Sequence, residues 1–318
     1  MTPRRITRRT CLEGLVGITV IASARPAWAA DPPAPIPQRV LGKTKVKVSM
    51  LCLGGYHSRL IKDDQEAVRF VRTAIDMGVT FLDSAWLYHD GASEELYGKA
   101  LQDGYREKVF LMTKTTGRDK KAALLQLDDS LRRMKVDAID LWQAHQVVEK
   151  DEPEQILAKG GAIEAFDRAK KAGKVRFVGF TGHRHPELHM QMLESGYPWD
   201  TVQMPVNVLD PHFRSFSKTA LPAAAKKGLG IIAMKTLAFG GIVQKKIVTP
   251  REALTYVWSQ DVSTLCSGMD KLEYLQHNAK VAAEFKPLSA EEQEKLLART
   301  AEAGEDGKIE SFKAPKWE

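Results

Sequence analysis

Short apolar runs alternate with amphipathic stretches along most of the chain. The runs are four to six residues long and lie at 49–53, 80–83, 109–113, 138–142, 175–180, 201–204, 230–234 and 262–266. Stretches with apolar positions at helical spacing lie between them, for example at 64–77, 120–134, 161–171 and 186–194. Strands that alternate with helices predict an α/β fold with a parallel sheet and right-handed crossovers.

The number of these units chooses between two α/β architectures. Eight units of about 30 residues match a closed (β/α)8 barrel, the TIM barrel, which uses about 250 residues. A doubly wound open sheet is the alternative. However, the pair Gly54-Gly55 after the first run lacks the G-x-G-x-x-G spacing of a dinucleotide-binding turn. We therefore predict one barrel domain over residues 38–318.

Two further elements are predicted outside the eight units. Residues 39–48 contain two short strand-like runs around Gly42, which predicts an N-terminal β-hairpin that caps the bottom of the barrel. Near the other end of the chain, Ser289 precedes Glu292 by three residues, as in a capping box. This spacing predicts that a C-terminal helix begins there.

Positive charge is concentrated at the N-terminus. Residues 1–30 carry +4 of the formal net charge of +7, which leaves +3 for the rest of the chain. The basic side chains of this segment are Arg4, Arg5, Arg8, Arg9 and Arg25. Because the remainder is only weakly basic, the charge does not indicate a nucleic-acid partner.

The first 30 residues have the layout of an export signal. A basic start with the pair Arg8-Arg9 precedes an apolar run at 14–24 and an A-x-A pattern at 27–29. The run is shorter than the ~20 apolar residues that span a bilayer, and the arginine pair resembles a twin-arginine (Tat) signal. We predict a Tat-type signal peptide at 1–30 and a Pro-rich linker at 31–37. A disordered basic tail is the alternative.

Such a signal has consequences for location and partners. The protein would be recognised by the Tat export machinery, would be exported already folded, and would be periplasmic or secreted, with no stable membrane insertion after cleavage. Cleavage would leave two cysteines, Cys52 and Cys266. Two cysteines do not make a disulfide framework, so buried free thiols are expected. A bridge is the alternative, because the barrel order makes their strands neighbours.

Polar residues follow the predicted strands at the end where barrel enzymes carry their chemistry. Asp83, Lys114 and His145 come at the ends of three consecutive runs, and Tyr88 follows Asp83 by five residues. Later runs end in Thr181, Gln203, Lys235 and Ser267. A purely structural barrel has little reason to collect ionisable residues at one end, so we interpret this set as a candidate active site.

These residues lie in motifs that resemble those of the aldo-keto reductase family. The motifs are FLDSA at 81–85 followed by Tyr88, SEELYGKAL at 93–101, MTK at 112–114, DLWQAH at 140–145 and GKVRFVG at 173–179. The resemblance extends from about residue 39 to about residue 285. It implies an enzyme that transfers hydride between a nicotinamide cofactor and a small-molecule carbonyl substrate, an aldehyde, ketone or sugar.

The resemblance also implies a role for each residue of a quartet formed by Asp83, Tyr88, Lys114 and His145. Tyr88 would be the general acid, and Lys114 would lower the pKa of its phenol. Asp83 would hold Lys114 in place, and His145 would orient the carbonyl oxygen. The structural alternative is an ion pair between Asp83 and Lys114, with Tyr88 as a rim aromatic and His145 as a core histidine.

The cofactor contacts implied by the resemblance depart from the family pattern. Where the family usually has Ser-Asn, this chain has Thr181 followed by glycine at position 182. Thr181 can replace the serine hydroxyl, and His183 is the candidate that could compensate for the missing amide. Met234, with Lys235 beside it, replaces the usual aromatic that stacks on the nicotinamide. The remaining candidates are Gly54, Gly55, Gln203, Ser267, Gly268, Met269 and Asn278. Tyr274 stands where the family often has the arginine or lysine that clamps the 2′-phosphate, and Lys271 lies nearby. NADP is expected mainly from the family, with NAD possible.

Three other features need an interpretation. His183, His185 and His189 form H-x-H-x3-H, but no cysteine or carboxylate lies at a matching spacing, so no metal site is predicted. Trp86 is a candidate substrate contact, whereas Trp199 and Trp258 could line a pocket or belong to the core. A non-catalytic, exported barrel that binds a nucleotide or a partner remains the alternative function, because some family members are channel accessory proteins.

Overall fold

The structure, a computed structural model, describes residues 35–313, all within the part of the chain that begins at Pro33. The predicted signal peptide at 1–30 and the start of the linker lie outside the described residues. Within residues 35–313, no helix combines the length and apolar character needed to cross a membrane.

Eight parallel strands close into a barrel and follow one another in chain order. A short antiparallel hairpin precedes them, with strands β1 (Gln38–Val40) and β2 (Lys47–Ser49). The barrel strands are β3 (Leu51–Gly54), β4 (Phe81–Asp83), β5 (Phe110–Thr115), β6 (Ile139–Ala144), β7 (Val175–Thr181), β8 (Thr201–Pro205), β9 (Gly230–Met234) and β10 (Thr264–Gly268). The predicted (β/α)8 barrel is confirmed.

Helices connect the strands and cover the outside of the barrel. They are α1 (Gly55–Ser58), α2 (Asp64–Asp76), α3 (Ala92–Ala100), α4 (Lys120–Met134), α5 (Glu152–Leu157), α6 (Ala162–Lys171), α7 (Pro186–Glu194), α8 (Ala220–Lys226), α9 (Gly241–Gln244), α10 (Pro250–Trp258), α11 (Leu272–Ala283) and α12 (Ala290–Gly304). Ser289 forms the predicted capping box with Glu292 at the start of α12.

Most predicted strand boundaries shift by one or two residues in the structure, and the first and last runs change at their start. The first run, predicted at 49–53, is divided at Met50, so that Ser49 ends the hairpin and Leu51 begins β3. The division arises because the amide of Met50 donates to the carbonyl of Pro37 and the hydroxyl of Ser49 donates to the carbonyl of Leu51. The last run, predicted at 262–266, begins two residues later in the structure, at Thr264.

The hairpin closes the bottom of the barrel, as predicted. Leu41 is fully buried in the barrel interior, and a Cβ on Gly230, at the start of β9, would lie only 2.6 Å from the Leu41 side chain. Gly42 has φ +49° and lies against the backbone of β9, where no other residue would fit. The interior above is filled with apolar side chains, so the polar residues lie at the opposite end.

Candidate active site

Strand register brings the ionisable residues of β4 and β5 together. Asp83 pairs with Met112 in the parallel register, so the next side chain of β5 on the inner face is Lys114. The Nζ of Lys114 contacts Asp83 Oδ1 and donates to the carbonyl of Ser84 at 2.6 Å. Both side chains are almost completely buried. Burial alone would lower the pKa of Lys114, but the charge of Asp83 and its hydrogen bond to the ammonium raise the pKa above its ordinary value.

Asp83 receives two further hydrogen bonds from distant strands. Gln203 of β8 donates from Nε2 to Asp83 Oδ2 at 2.8 Å, and the thiol of Cys266 in β10 donates to the same oxygen at 2.9 Å. The carboxylate is therefore held from β5, β8 and β10 at once. Gln203, assigned by its motif to the cofactor, thus also supports Asp83, and its Oε1 is buried without a hydrogen-bond partner.

Tyr88 lies against the Lys114–Asp83 pair. Its ring centroid is 4.9 Å from the Nζ of Lys114 and 5.4 Å from the ring centroids of both His145 and Tyr56. Burial raises the pKa of Tyr88 above its ordinary value, although the charge of Lys114 acts in the opposite direction. Lys114 lowers the pKa of Tyr88 as expected, but the effect of burial is larger. The phenol is therefore protonated at neutral pH.

His145 completes the quartet directly after β6. It is 4% exposed, and its Nδ1 has no hydrogen-bond partner. Burial, and then the nearby charge of Lys114, hold the pKa of His145 well below its ordinary value. The imidazole is therefore neutral at neutral pH and can donate one N–H to an oxygen placed beside Tyr88. The structure thus brings all four predicted residues together.

The loop that carries Tyr88 is anchored by a buried ion pair that sequence reasoning missed. Arg133 of α4 donates to Glu94 of α3 at 3.2 Å and to the backbone carbonyl of Trp86 at 3.1 Å. Glu94 is fully buried and also accepts from Thr113 Oγ1 at 2.6 Å. Gly91, with φ +96°, leaves space for the guanidinium, because a Cβ there would lie 2.4 Å from Arg133 Cζ. The anchor fixes the backbone two residues before Tyr88.

The predicted cofactor residues on β7 and β9 surround the same opening. Thr181 ends β7 in a buried position, and Met234 ends β9 half-buried. Lys235 has a left-handed backbone (φ 61°), and its Nζ lies 3.9 Å from the ring centroid of Phe239. Burial lowers the pKa of Lys235 to about 8. Burial and the charge of Lys235 lower the pKa of His183 to about 3.

The residues after β10 form a second polar group. Asn278 of α11 donates from Nδ2 to Ser267 Oγ at 3.1 Å and to Met269 Sδ at 3.3 Å. Gly268 lies against the ring of His57, where a Cβ would approach to 2.1 Å. Gly268 therefore permits a close contact between β10 and α1. His57 is thus a neighbour of this polar group that sequence reasoning missed.

Comparison with known proteins decides the family. The sequence model described as the aldo/keto reductase family matches residues 50–253, which is more than half of the chain. The chain belongs to the aldo/keto reductase family. By family and fold it is therefore an NAD(P)-dependent oxidoreductase, and the match covers the quartet and the residues up to β9.

Curated relatives and solved structures support this placement. The chain is 28% identical to aldo-keto reductase YhdN of Bacillus subtilis over 194 residues, which are 58% of this chain and 55% of that protein. It is 27% identical to L-glyceraldehyde 3-phosphate reductase of Escherichia coli K12 over 241 residues, 69% of this chain and 67% of that protein. The holo form of aldo-keto reductase AKR11C1 from Bacillus halodurans superposes with a TM-score of 0.71 at 25% identity, covering 83% of this chain and 96% of that one.

Several residues predicted to belong to the site have a local packing role. A Cβ on Gly54 would lie 3.3 Å from Cys266 Sγ, and one on Gly55 would lie 2.6 Å from Ser93 Oγ. Both glycines therefore allow β3 and α1 to approach their neighbours closely. Trp86 is half-buried, and its ring lies 5.4 Å from Arg133 Cζ, so the structure places it toward α4.

The other aromatic and histidine candidates do not lie together at one site. Trp199 and Trp258 are at most 2% exposed and belong to the core, where they donate to backbone carbonyls. His189 contacts the carbonyl of Gln203 at 3.3 Å between β8 and α7, whereas His183 lies against Phe312. Within residues 35–313, no three or more His, Cys, Asp or Glu side chains are grouped to hold a metal ion.

Proposed function

We propose that this chain reduces an aldehyde or ketone with NADPH and that Tyr88 protonates the carbonyl oxygen. The observation that carries the proposal is the convergence of Tyr88, Lys114, Asp83 and His145 at the mouth of the barrel. Lys114 stabilises negative charge on the phenolic oxygen as the proton leaves. Neutral His145 donates a hydrogen bond that orients the carbonyl. The bound nicotinamide supplies the hydride to the carbonyl carbon.

The residues around the opening fit such a cofactor. The unpaired Oε1 of Gln203 can accept from the carboxamide, and Thr181 offers a hydroxyl beside it. Met234 can lie against the nicotinamide ring. Lys235, whose Nζ lies 3.9 Å from the ring centroid of Phe239, can pair with the pyrophosphate. Ser267 and Asn278 offer hydrogen bonds to the adenosine end.

Selectivity for NADP over NAD is part of the proposal. A 2′-phosphate needs a cation, and Lys271 lies at the N-terminus of α11, with its Nζ 5.6 Å from the ring centroid of Tyr274. Dissociation constants for NADPH and NADH, measured by nucleotide fluorescence, test this choice. We expect tighter binding of NADPH in the wild-type chain and equal affinities in Lys271→Met. Equal affinities in the wild type would contradict selectivity for NADP, and tighter binding of NADH would favour NAD.

The substrate class is proposed from the name of a relative. The name of L-glyceraldehyde 3-phosphate reductase of Escherichia coli K12 gives its substrate as L-glyceraldehyde 3-phosphate. We propose a sugar-like carbonyl compound for this chain as well. Loss of NADPH absorbance with a panel of aldehydes, ketones and sugars tests the activity. The non-catalytic alternative predicts nucleotide binding without turnover of any of them.

Export is proposed from the N-terminal sequence alone. The pair Arg8-Arg9, the apolar run at 14–24 and the A-x-A pattern support Tat recognition and a periplasmic or secreted location. We expect the wild-type chain in the periplasmic fraction, in a shortened form that begins near residue 30. The double substitution Arg8→Lys and Arg9→Lys should leave it in the cytoplasm. An uncleaved wild-type chain in the cytoplasm would contradict the proposal.

A further inference from the structure

Two cysteines face each other inside the barrel where its first and last strands meet. Cys52 of β3 and Cys266 of β10 are partners in the parallel register, so their side chains point to the same face of the sheet. Both thiols are free, and they are close enough to hydrogen-bond with each other. Neighbouring strands lie about 4.8 Å apart, within the ~4.4–6.8 Å between Cα atoms that a disulfide spans.

One of these thiols also touches the candidate active site. Cys266 donates to Asp83 Oδ2 at 2.9 Å, and Gln203 donates to the same oxygen at 2.8 Å. Asp83 is 2% exposed, so each donor compensates part of the cost of burying its charge. Cys266 is therefore a positioning residue for Asp83 and, through Asp83, for Lys114.

The two cysteines differ in exposure. Cys52 is fully buried, whereas Cys266 is partly exposed beside Gly54, which has no side chain to cover it. A small oxidant can therefore reach Cys266 from the mouth of the barrel, and Cys52 is the residue placed to react next. Burial raises the pKa of both thiols, so we expect this reaction to be slow at neutral pH and faster in alkali.

We propose that Cys52 and Cys266 are a site of oxidative modification, and that a disulfide between them disables the active site by removing a hydrogen bond from Asp83. With hydrogen peroxide, the sulfur of Cys266 attacks one oxygen, the O–O bond breaks, and one water leaves. The sulfur of Cys52 then displaces the hydroxyl of the sulfenic acid as a second water. Two thiols lose two electrons and two protons, and one peroxide becomes two waters.

The consequence for Asp83 follows from the lost proton. A disulfide sulfur cannot donate a hydrogen bond, so Asp83 Oδ2 keeps only the donor from Gln203. Hydrogen bonds to charged groups are strong enough that losing one lowers an activity that depends on it by about tenfold or more. The expected loss of activity rests on the proposed function of the quartet, whereas formation of the disulfide does not.

Peptide mapping tests the site directly. The full chain with Cys11→Ser, so that only these two cysteines remain, is treated with hydrogen peroxide, digested without reduction and analysed by mass spectrometry. We expect a cross-linked pair of peptides containing Cys52 and Cys266, and both thiols restored by dithiothreitol. Oxidation to separate sulfinic acids, or no reaction, would overturn the proposal. Tyr88→Phe should form the bridge equally well, which separates this result from any failure of the proposed function.

Matched variants test the link to activity. Cys266→Ser keeps a hydroxyl donor, and Cys266→Ala removes it, while neither can form the bridge. We expect kcat near the wild-type value in Cys266→Ser and about tenfold lower in Cys266→Ala, with KM little changed in both. Cys52→Ser should have wild-type kcat and no bridge. Equal kcat in the serine and alanine variants, or full activity of the bridged wild-type chain, would show that the thiol does not support Asp83.

Discussion

The two sides of the barrel mouth differ in how far their polar groups are already paired. On the side of β4–β6, Asp83 and Lys114 are almost completely buried and hold each other, with further donors from β8 and β10. On the side of β7–β10, Lys235 lies over an aromatic ring, and Gln203 keeps an unpaired oxygen. The Asp83–Lys114 pair is complete without a ligand, whereas His145 and the second side offer partners to one.

This difference explains where the chain can depart from its family. Asp83 and Lys114 form one buried ion pair with further donors, so a change in either leaves a buried charge unpaired. Gly182, Met234 and Tyr274 belong to the other side, where a changed contact alters affinity for a bound molecule. We therefore expect substitutions on the β4–β6 side, and of the Asp83 donors Gln203 and Cys266, to reduce kcat. Other substitutions on the β7–β10 side should change Kd for the cofactor.

Lys114→Met should have the largest effect. Removing the cation leaves Asp83 buried without its partner, which costs about 3–5 kcal/mol in the free energy of unfolding. Loss of the acid–base assistance lowers kcat by about 10³-fold. Urea unfolding and steady-state kinetics measure the two effects. The double variant Asp83→Leu with Lys114→Met should recover most of the stability but none of the activity. Recovery of activity would disprove the role of the pair.

His189 should make stability depend on pH. Burial lowers the pKa of His189 to about 4 in the folded chain, whereas the unfolded value is about 6.5. Between these values the unfolded chain binds the extra proton, so stability falls as pH decreases, by about 1.4 kcal/mol per pH unit from this group. The penalty is absent above pH 6.5. His189→Gln should have a shallower dependence in urea unfolding at several pH values, and parallel curves would contradict the assignment.

Substitution of Lys235 should have the smallest effect, and it should change only the binding of NADPH. With a pKa of about 8, its charge is present at pH 7 and is lost as pH rises above 8. The Kd for NADPH should therefore increase several-fold between pH 7 and pH 9.5. Lys235→Met should bind about fivefold more weakly at pH 7, the scale of a partly exposed ion pair, and should lose most of this pH dependence. An unchanged pH dependence in Lys235→Met would assign it to another group.

Much of the fold could be read from the sequence, because each strand alternates interior and exterior side chains and each helix keeps one apolar face. The quartet was predictable for the same reason, since strand ends of a barrel meet at one mouth. The anchor between Arg133 and Glu94 was not, because its members lie on different helices, 39 residues apart. The contact between Cys266 and Asp83, 183 residues apart, also depends on closure of the barrel.

The pKa of Tyr88 shows the limit of reasoning from residue types. The neighbour expected to lower it, Lys114, is present, yet burial has the larger influence and raises the pKa. The depth at which a side chain is buried depends on packing that no motif records. For the same reason, Trp199 and Trp258 could not be assigned to core or pocket before their burial was known.

The substitution Tyr88→Phe tests the central claim most directly. It removes one oxygen and leaves the ring contacts with His145 and Tyr56, so the fold and the cofactor side should not change. We predict that the variant binds NADPH with the wild-type Kd and that its kcat for carbonyl reduction is at least about 100-fold lower, the loss expected for a missing general acid. Reduction at the wild-type rate by Tyr88→Phe would contradict the account.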